Sequence, residues 1–229
     1  MANAAIATPP ILREGDRLTS AEFLHRWEAM PDLRWAELID GVVFMPSPVS
    51  RIHGNLHGRL SGWLCNYIDH TPGCEIGLDS TWVMSELDVP QPDISLRILE
   101  ACGGQSRDSG DYNDGAPELI VEVSGSTLSR DLGIKLELYR KAGVREYITI
   151  LLKPQRVIWR ELSRGRYREI EPAEDDGLLR SRYFPGLWLD PKALWDPKQS
   201  LRPAIEQGIQ TPEHAAFVSR LAKPRRRRK

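Results

Sequence analysis

The sequence predicts a single α/β domain, a mixed β-sheet flanked by helices, with an N-terminal hairpin and a C-terminal meander. Three observations carry this. Glu118 to Val123 is a short run of aliphatic and β-branched residues, closed by Pro117 on one side and Ser124-Gly125-Ser126-Thr127 on the other, the pattern of a strand buried on both faces. From Leu128 to Ala142 the apolar residues Leu128, Leu132, Leu136, Leu138, Tyr139 and Ala142 share one arc of a helical wheel, so a helix follows that strand and folds back over it. Trp35 to Ile39 alternates, Asp40-Gly41 is a two-residue turn signal, and Val42 to Met45 returns, which reads as a hairpin.

The remaining elements follow in order. Residues 1–17 are small and proline-containing and read as a loose arm, residues 18–195 as the main domain, and 196–229 as a polar extension ending in a basic run. Thr19 with Glu22 forms a capping box that opens a helix carrying Phe23, Leu24 and Trp27. Arg51 to Ile68 is helical by the spacing of Ile52, Leu56, Leu60, Trp63, Leu64 and Tyr67, despite glycines that each cost about 1 kcal/mol relative to Ala. Glu75 to Met84 reads as a strand, and Gln91-Pro92-Asp93 enters another through Ile94, Leu96 and Ile98. Gly103 to Gly115 is polar and glycine-rich, a solvated linker or a lid. Gly143 ends the helix, Glu146 to Leu152 and Val157 to Glu161 are strands joined by Lys153-Pro154-Gln155-Arg156, and Tyr167 to Ile170 extends the meander. Thr211-Pro212 opens a last short helix through Leu221.

The 229 residues carry a formal net charge of −1, but Lys223, Arg225 to Arg228 and Lys229 leave residues 1–222 at −7. An acidic body with a basic tail suggests either a solvated charge run or phosphate contacts by that tail. Cys65, Cys74 and Cys102 form no C-x-x-C pair, which points to a reducing compartment. No charged-then-apolar leader and no membrane-length apolar run is present, so a cytoplasmic protein without membrane attachment is expected.

Four charged residues sit where packing alone does not want them. Glu122 lies inside the apolar strand, where an unpaired carboxylate costs several kcal/mol, roughly. Asp93 precedes Ile94 and points away from Ile94 and Leu96. Lys135 falls inside the apolar arc of its helix together with Asp131, which leaves it either an i,i+4 partner of Asp131 or a cation aimed at the Glu122 strand. Glu37 shares a face with Trp35 and Ile39. His53 and His57 stand at i,i+4 without an H-E-x-x-H pattern, a helix-edge pair or a substrate contact more than a zinc site.

Pro92-Asp93, Gly115-Ala116-Pro117-Glu118-Leu119-Ile120-Val121-Glu122-Val123, Asp131-Leu132, Lys135, Tyr139 and Ala142-Gly143-Val144-Arg145-Glu146-Tyr147 together resemble the Uma family, proposed bacterial endonucleases of the PD-(D/E)XK superfamily. The resemblance spans about residues 20–195 and implies a restriction-endonuclease-like core. It implies that Asp93 and Glu122 hold Mg²⁺ or Mn²⁺, that Glu37 is a further acid of the site, and that DNA phosphodiester bonds are the substrate. The lysine that the superfamily carries just after the second acid is missing from Glu122-Val123-Ser124, and the resemblance implies that Lys135 replaces it from the helix. A homodimer is expected by analogy with nucleases that cut both strands. The reading from another class is a domain that keeps this fold and binds nucleic acid or protein without cleaving.

Overall fold

The computed structural model describes residues 9–45, 48–125 and 128–223, and its first elements follow their local signals closely. Helix α1 (Ser20–Glu28) begins where the Thr19 side chain accepts the Glu22 N–H. Strands β1 (Glu37–Ile39) and β2 (Val42–Phe44) form the hairpin, with Asp40 and Gly41 at φ 51° and 72°, as a two-residue turn of this hand requires. Helix α2 (Arg51–Ile68), capped by Ser50, buries Leu56, Leu60, Trp63, Leu64 and Tyr67.

Strand β3 (Cys74–Leu78) is followed by β4 (Trp82–Val83), β5 (Ile94–Ile98), a hairpin of β6 (Arg107–Ser109) and β7 (Tyr112–Asp114), and β8 (Leu119–Ser124). Helices α3 (Leu128–Asp131) and α4 (Ile134–Ala142) lead to β9 (Glu146–Leu151), β10 (Arg156–Ser163) and β11 (Arg166–Glu169). The chain closes with β12 (Leu179–Arg180), β13 (Trp188–Leu189), α5 (Pro191–Trp195), α6 (Arg202–Gly208) and α7 (Pro212–Leu221).

The main sheet has the order β11-β10-β9-β8-β5-β3. Only β8 and β9 are parallel within it, because α3 and α4 carry the chain across one face between them, the connection a parallel pair needs. Alternation then divides the sheet. Leu119, Val121 and Val123 join Ile94, Leu96 and Ile98 in the large core under α2, while Ile120 packs with Leu138, Tyr139, Val144 and Tyr147 on the α4 side. Glu122 therefore belongs to the α4 side, while Asp93, just before β5, is met by His53 and His57 of α2.

Several elements depart from the sequence reading. The helix expected from Leu128 to Ala142 is broken at Leu132-Gly133, with Gly133 at φ −115°, ψ −100° before α4. The strand expected over Glu75–Met84 splits at Asp79, whose φ is 47°, so that only β3 joins the main sheet while β4 pairs with β7. Gly103–Gly115 is neither linker nor lid. It is mostly the β6–β7 hairpin, and because β5 leaves the Asp93 end and β8 returns toward Glu122, this connection lies at the opposite end of the two strands.

The loose arm is also corrected over its second half: Leu12 is buried with Phe23, Leu38 and Val43, and Arg17 bridges to Val42. The polar extension is corrected more strongly. Leu201, Ile205, Phe217 and Leu221 belong to the main core, and Gly186 and Gly208 allow the backbones to touch there, since a Cβ on Gly208 would lie 2.2 Å from the Gly186 carbonyl oxygen. The basic run beyond Lys223 and the Ser126-Thr127 pair lie outside the described residues. Among the described residues no helix is long and apolar enough to cross a membrane.

Candidate active site

A cleft of about 800 Å³ opens beside the α4 face of the sheet, and Glu37, Asp93, Glu122 and Lys135 all line it. Each comes from a different element. The β5–β8 register pairs Ile94 with Val121, so Asp93, just before β5, and Glu122, within β8, lie at the same end of the two strands, and both line the cleft. Glu37 arrives at the first position of β1, and Lys135 at the start of α4.

Lys135 settles its own alternatives. Its Nζ lies 2.9 Å from Glu122 Oε1 and 2.8 Å from Glu37 Oε1. Tyr139, one turn later on the same helix face, donates to the same Glu122 oxygen at 2.8 Å. Asp131 instead accepts from the Ser124 hydroxyl at 2.8 Å. The break at Gly133 puts Asp131 in α3 and Lys135 in α4, although the Asp131 charge still favours the Lys135 ammonium. Arg130 stands over the Phe44 ring at 4.3 Å with its guanidinium 4.0 Å from Glu37, and the Gln91 N–H donates to Glu37 Oε1 at 2.9 Å.

Asp93 is held from two sides through one oxygen. Its Oδ2 accepts the Val123 N–H at 2.6 Å and faces His53 Nε2 at 3.2 Å, while His57 Nε2 lies 2.8 Å from the Asp93 carbonyl oxygen. The i,i+4 histidines thus both address Asp93 from the first turns of α2. His53 is a site residue that the sequence left unassigned, because nothing local links it to an acid forty residues on. Their i,i+4 spacing was the available signal, and it suggested a helix-edge pair or a substrate contact without naming Asp93 as the partner.

Burial and charge act against each other here. Burial disfavours the ammonium of Lys135, but Glu122, Glu37 and Asp131 more than offset this and hold its pKa above the ordinary lysine range. Burial pushes Glu122 well up; Lys135 opposes the rise, and Asp93, Asp131 and Glu37 add to it. The cluster has more carboxylates than cations, so Glu122 is where an added positive charge is most favourable. Asp93 is depressed: burial opposes this, and the His53 hydrogen bond and charge, the Val123 N–H and Lys135 outweigh it. The reciprocal effect raises His53, first through its bond to Asp93 and against its own burial.

The donors suit a hard divalent cation. Among the described residues the hydrogen bonds that fix these acids fall on one oxygen of each, Oδ2 of Asp93 and Oε1 of Glu122, which leaves a second oxygen on each carboxylate. No ready-made group of three or more His, Cys, Asp or Glu ligands exists among the described residues. Two carboxylates with water and phosphate oxygens are nonetheless a common Mg²⁺ environment.

A family model described as "Uma2: Putative restriction endonuclease" matches residues 20–192. The chain belongs to the Uma2 family. The crystal structure of a "putative nuclease belonging to DUF820" from Anabaena variabilis superposes with a TM-score of 0.54 at 15% identity, covering 78% of this chain and 97% of that one. At that identity the likeness shows the shared fold, the restriction-endonuclease-like architecture expected from the motifs. No curated protein is similar to the chain at a significant level.

Proposed function

We propose that this Uma2 protein is a Mg²⁺-dependent endonuclease hydrolysing phosphodiester bonds in DNA. The observation that carries the reading is the convergence of Asp93, Glu122 and Lys135, from two adjacent strands and one helix, on the floor of a single cleft. Asp93 and Glu122 would hold the ion, which when bound supplies charge stabilisation at phosphorus and an acidified water. The protein's own groups do the rest. Lys135, held by Glu122 and Glu37, would orient or deprotonate the attacking water or stabilise the developing charge on phosphate. Glu37, with Arg130 behind it, fixes the ammonium in place. The Val123 N–H and His53 fix the Asp93 carboxylate through its Oδ2 at the lining of the cleft.

The test is nicking of supercoiled plasmid by purified protein with Mg²⁺ or Mn²⁺ and with chelator. Nicking that needs the ion and disappears in Asp93→Ala supports the reading. A wild type that never nicks under any divalent ion hands the fold to the binding-domain reading, which the internal pairing of Lys135 with Glu122 and Glu37 would then explain.

A further inference from the structure

The floor of the cleft is charged and its mouth is apolar. Trp35 and Val49 line it while 46% and 70% exposed, in a molecule that otherwise buries Trp82 and Trp159 almost completely. Trp35 leads directly into Ala36 and Glu37, so the exposed indole is two residues from an acid of the site. Phe44, Met45 and Leu152 continue the apolar lining inward.

The charges lining this cleft do not suit a double helix. Among the described residues its lining has five carboxylates and only two permanent cations, Arg130 and Lys135. Both cations are already engaged with Glu37, and Lys135 with Glu122 as well. Duplex binding is dominated by basic side chains along the phosphate backbone. The Glu122 and Lys135 side chains are only 5% and 6% exposed, so a phosphate that meets them has to be drawn into the cleft. A paired, stacked strand resists that, and an unpaired one does not. Strands without a partner expose their base faces, and each base stacked on an aromatic side chain contributes to binding, a gain that a paired and stacked duplex does not offer.

We propose that the cleft admits an unpaired nucleotide strand, with one base stacked on Trp35 and the neighbouring phosphate over Asp93 and Glu122, so that the substrate is single-stranded or locally unpaired nucleic acid. The fate of the phosphate rests on the nuclease reading. The stacking rests on Trp35 alone.

Binding and cutting are therefore measured separately. Anisotropy of a labelled twelve-residue oligodeoxythymidylate and of a duplex of equal length is read in Mn²⁺ on the Lys135→Ala background, with Trp35 intact, Trp35→Ala and Trp35→Phe. The single strand binds more tightly than the duplex, Trp35→Ala weakens only the single strand by about fivefold or more, and Trp35→Phe recovers most of the loss. With Lys135 replaced, Arg130 is the one permanent cation left among the described lining residues, so the salt slope on the single strand is about −0.7. Equal or tighter duplex binding, or a Trp35→Ala variant that binds the single strand unchanged, overturns the proposal. Cleavage by the wild type is followed on the same two molecules. Duplex cut in preference to single strand defeats the proposal and leaves the nuclease reading standing. Trp35-dependent strand binding with no cleavage of either molecule does the reverse.

Discussion

Glu122 and Glu146 are both buried carboxylates on neighbouring parallel strands, and they are satisfied in opposite ways. Glu146, 0% exposed, accepts from four neutral donors: Trp159 Nε1 at 3.1 Å, the Ser181 hydroxyl at 2.7 Å, and the Arg182 and Tyr183 N–H groups at 2.6 and 2.9 Å. It pins the β12 region to the main sheet and is sealed. Glu118 repeats the pattern with the Ile98 and Gln105 N–H groups. Glu122 instead has a cation and a phenol on one oxygen and a cleft beside it. A buried acid in a central strand is thus no mark of chemistry by itself; the mark is an acid whose partner is a lysine and whose surroundings open to solvent.

The sharpest way to break this contrast is through the cation. Lys135→Ala should reduce cleavage by about 10²–10⁴-fold, the range for losing one positioned proton-bearing group, while Mn²⁺ affinity measured by calorimetry holds or rises because the acids are freed. Asp93→Ala should lose both metal affinity and cleavage. Lys135→Ala cutting at the wild-type rate would make the Lys135–Glu122 pair as structural as Glu146.

Glu146 should answer in stability and not in activity. Glu146→Ala strands four donors and is expected to cost about 2–4 kcal/mol, a fall in Tm of about 4–16 °C for a chain of this size, with metal affinity unchanged. An equal loss of metal affinity would couple the two acids.

A smaller effect sharpens the same comparison by pH. Burial pushes Glu146 up to about 7, against the pull of its hydrogen bonds. Above the unfolded value the folded state binds more protons than the unfolded one, so stability falls as pH rises from about 4.5 toward 7 and is then flat. Glu146→Gln cannot titrate, so the gap in Tm between wild type and this variant should narrow across that window. A gap independent of pH would mean that Glu146 titrates normally.

Glu122 and Lys135 were legible because each broke a pattern: a charge in a six-residue apolar strand, and a charge in the apolar arc of a helix. Asp93 needed the Pro92 context and the family motif. What the sequence hid was non-local or glycine-controlled. His53 reaches Asp93 only once α2 has packed, Gly133 breaks a helix whose wheel looks continuous, and β6 and β7 are three polar residues each, too short and too polar for alternation to register. The closing helices were underrated because their apolar residues are sparse, although Leu201, Ile205, Phe217 and Leu221 all reach the main core.

The position two residues after Glu122, on the same face, is held by Ser124, and the lysine comes from α4. Two groups on one strand keep their spacing whatever else in the molecule shifts, because the backbone between them is rigid. Here the distance between acid and ammonium depends on where a nine-residue helix lands. For the endonuclease proposed above, a slide of α4 by one ångström would leave the sheet intact and change the rate by about a hundredfold, which would make the seat of that helix a throttle on the site.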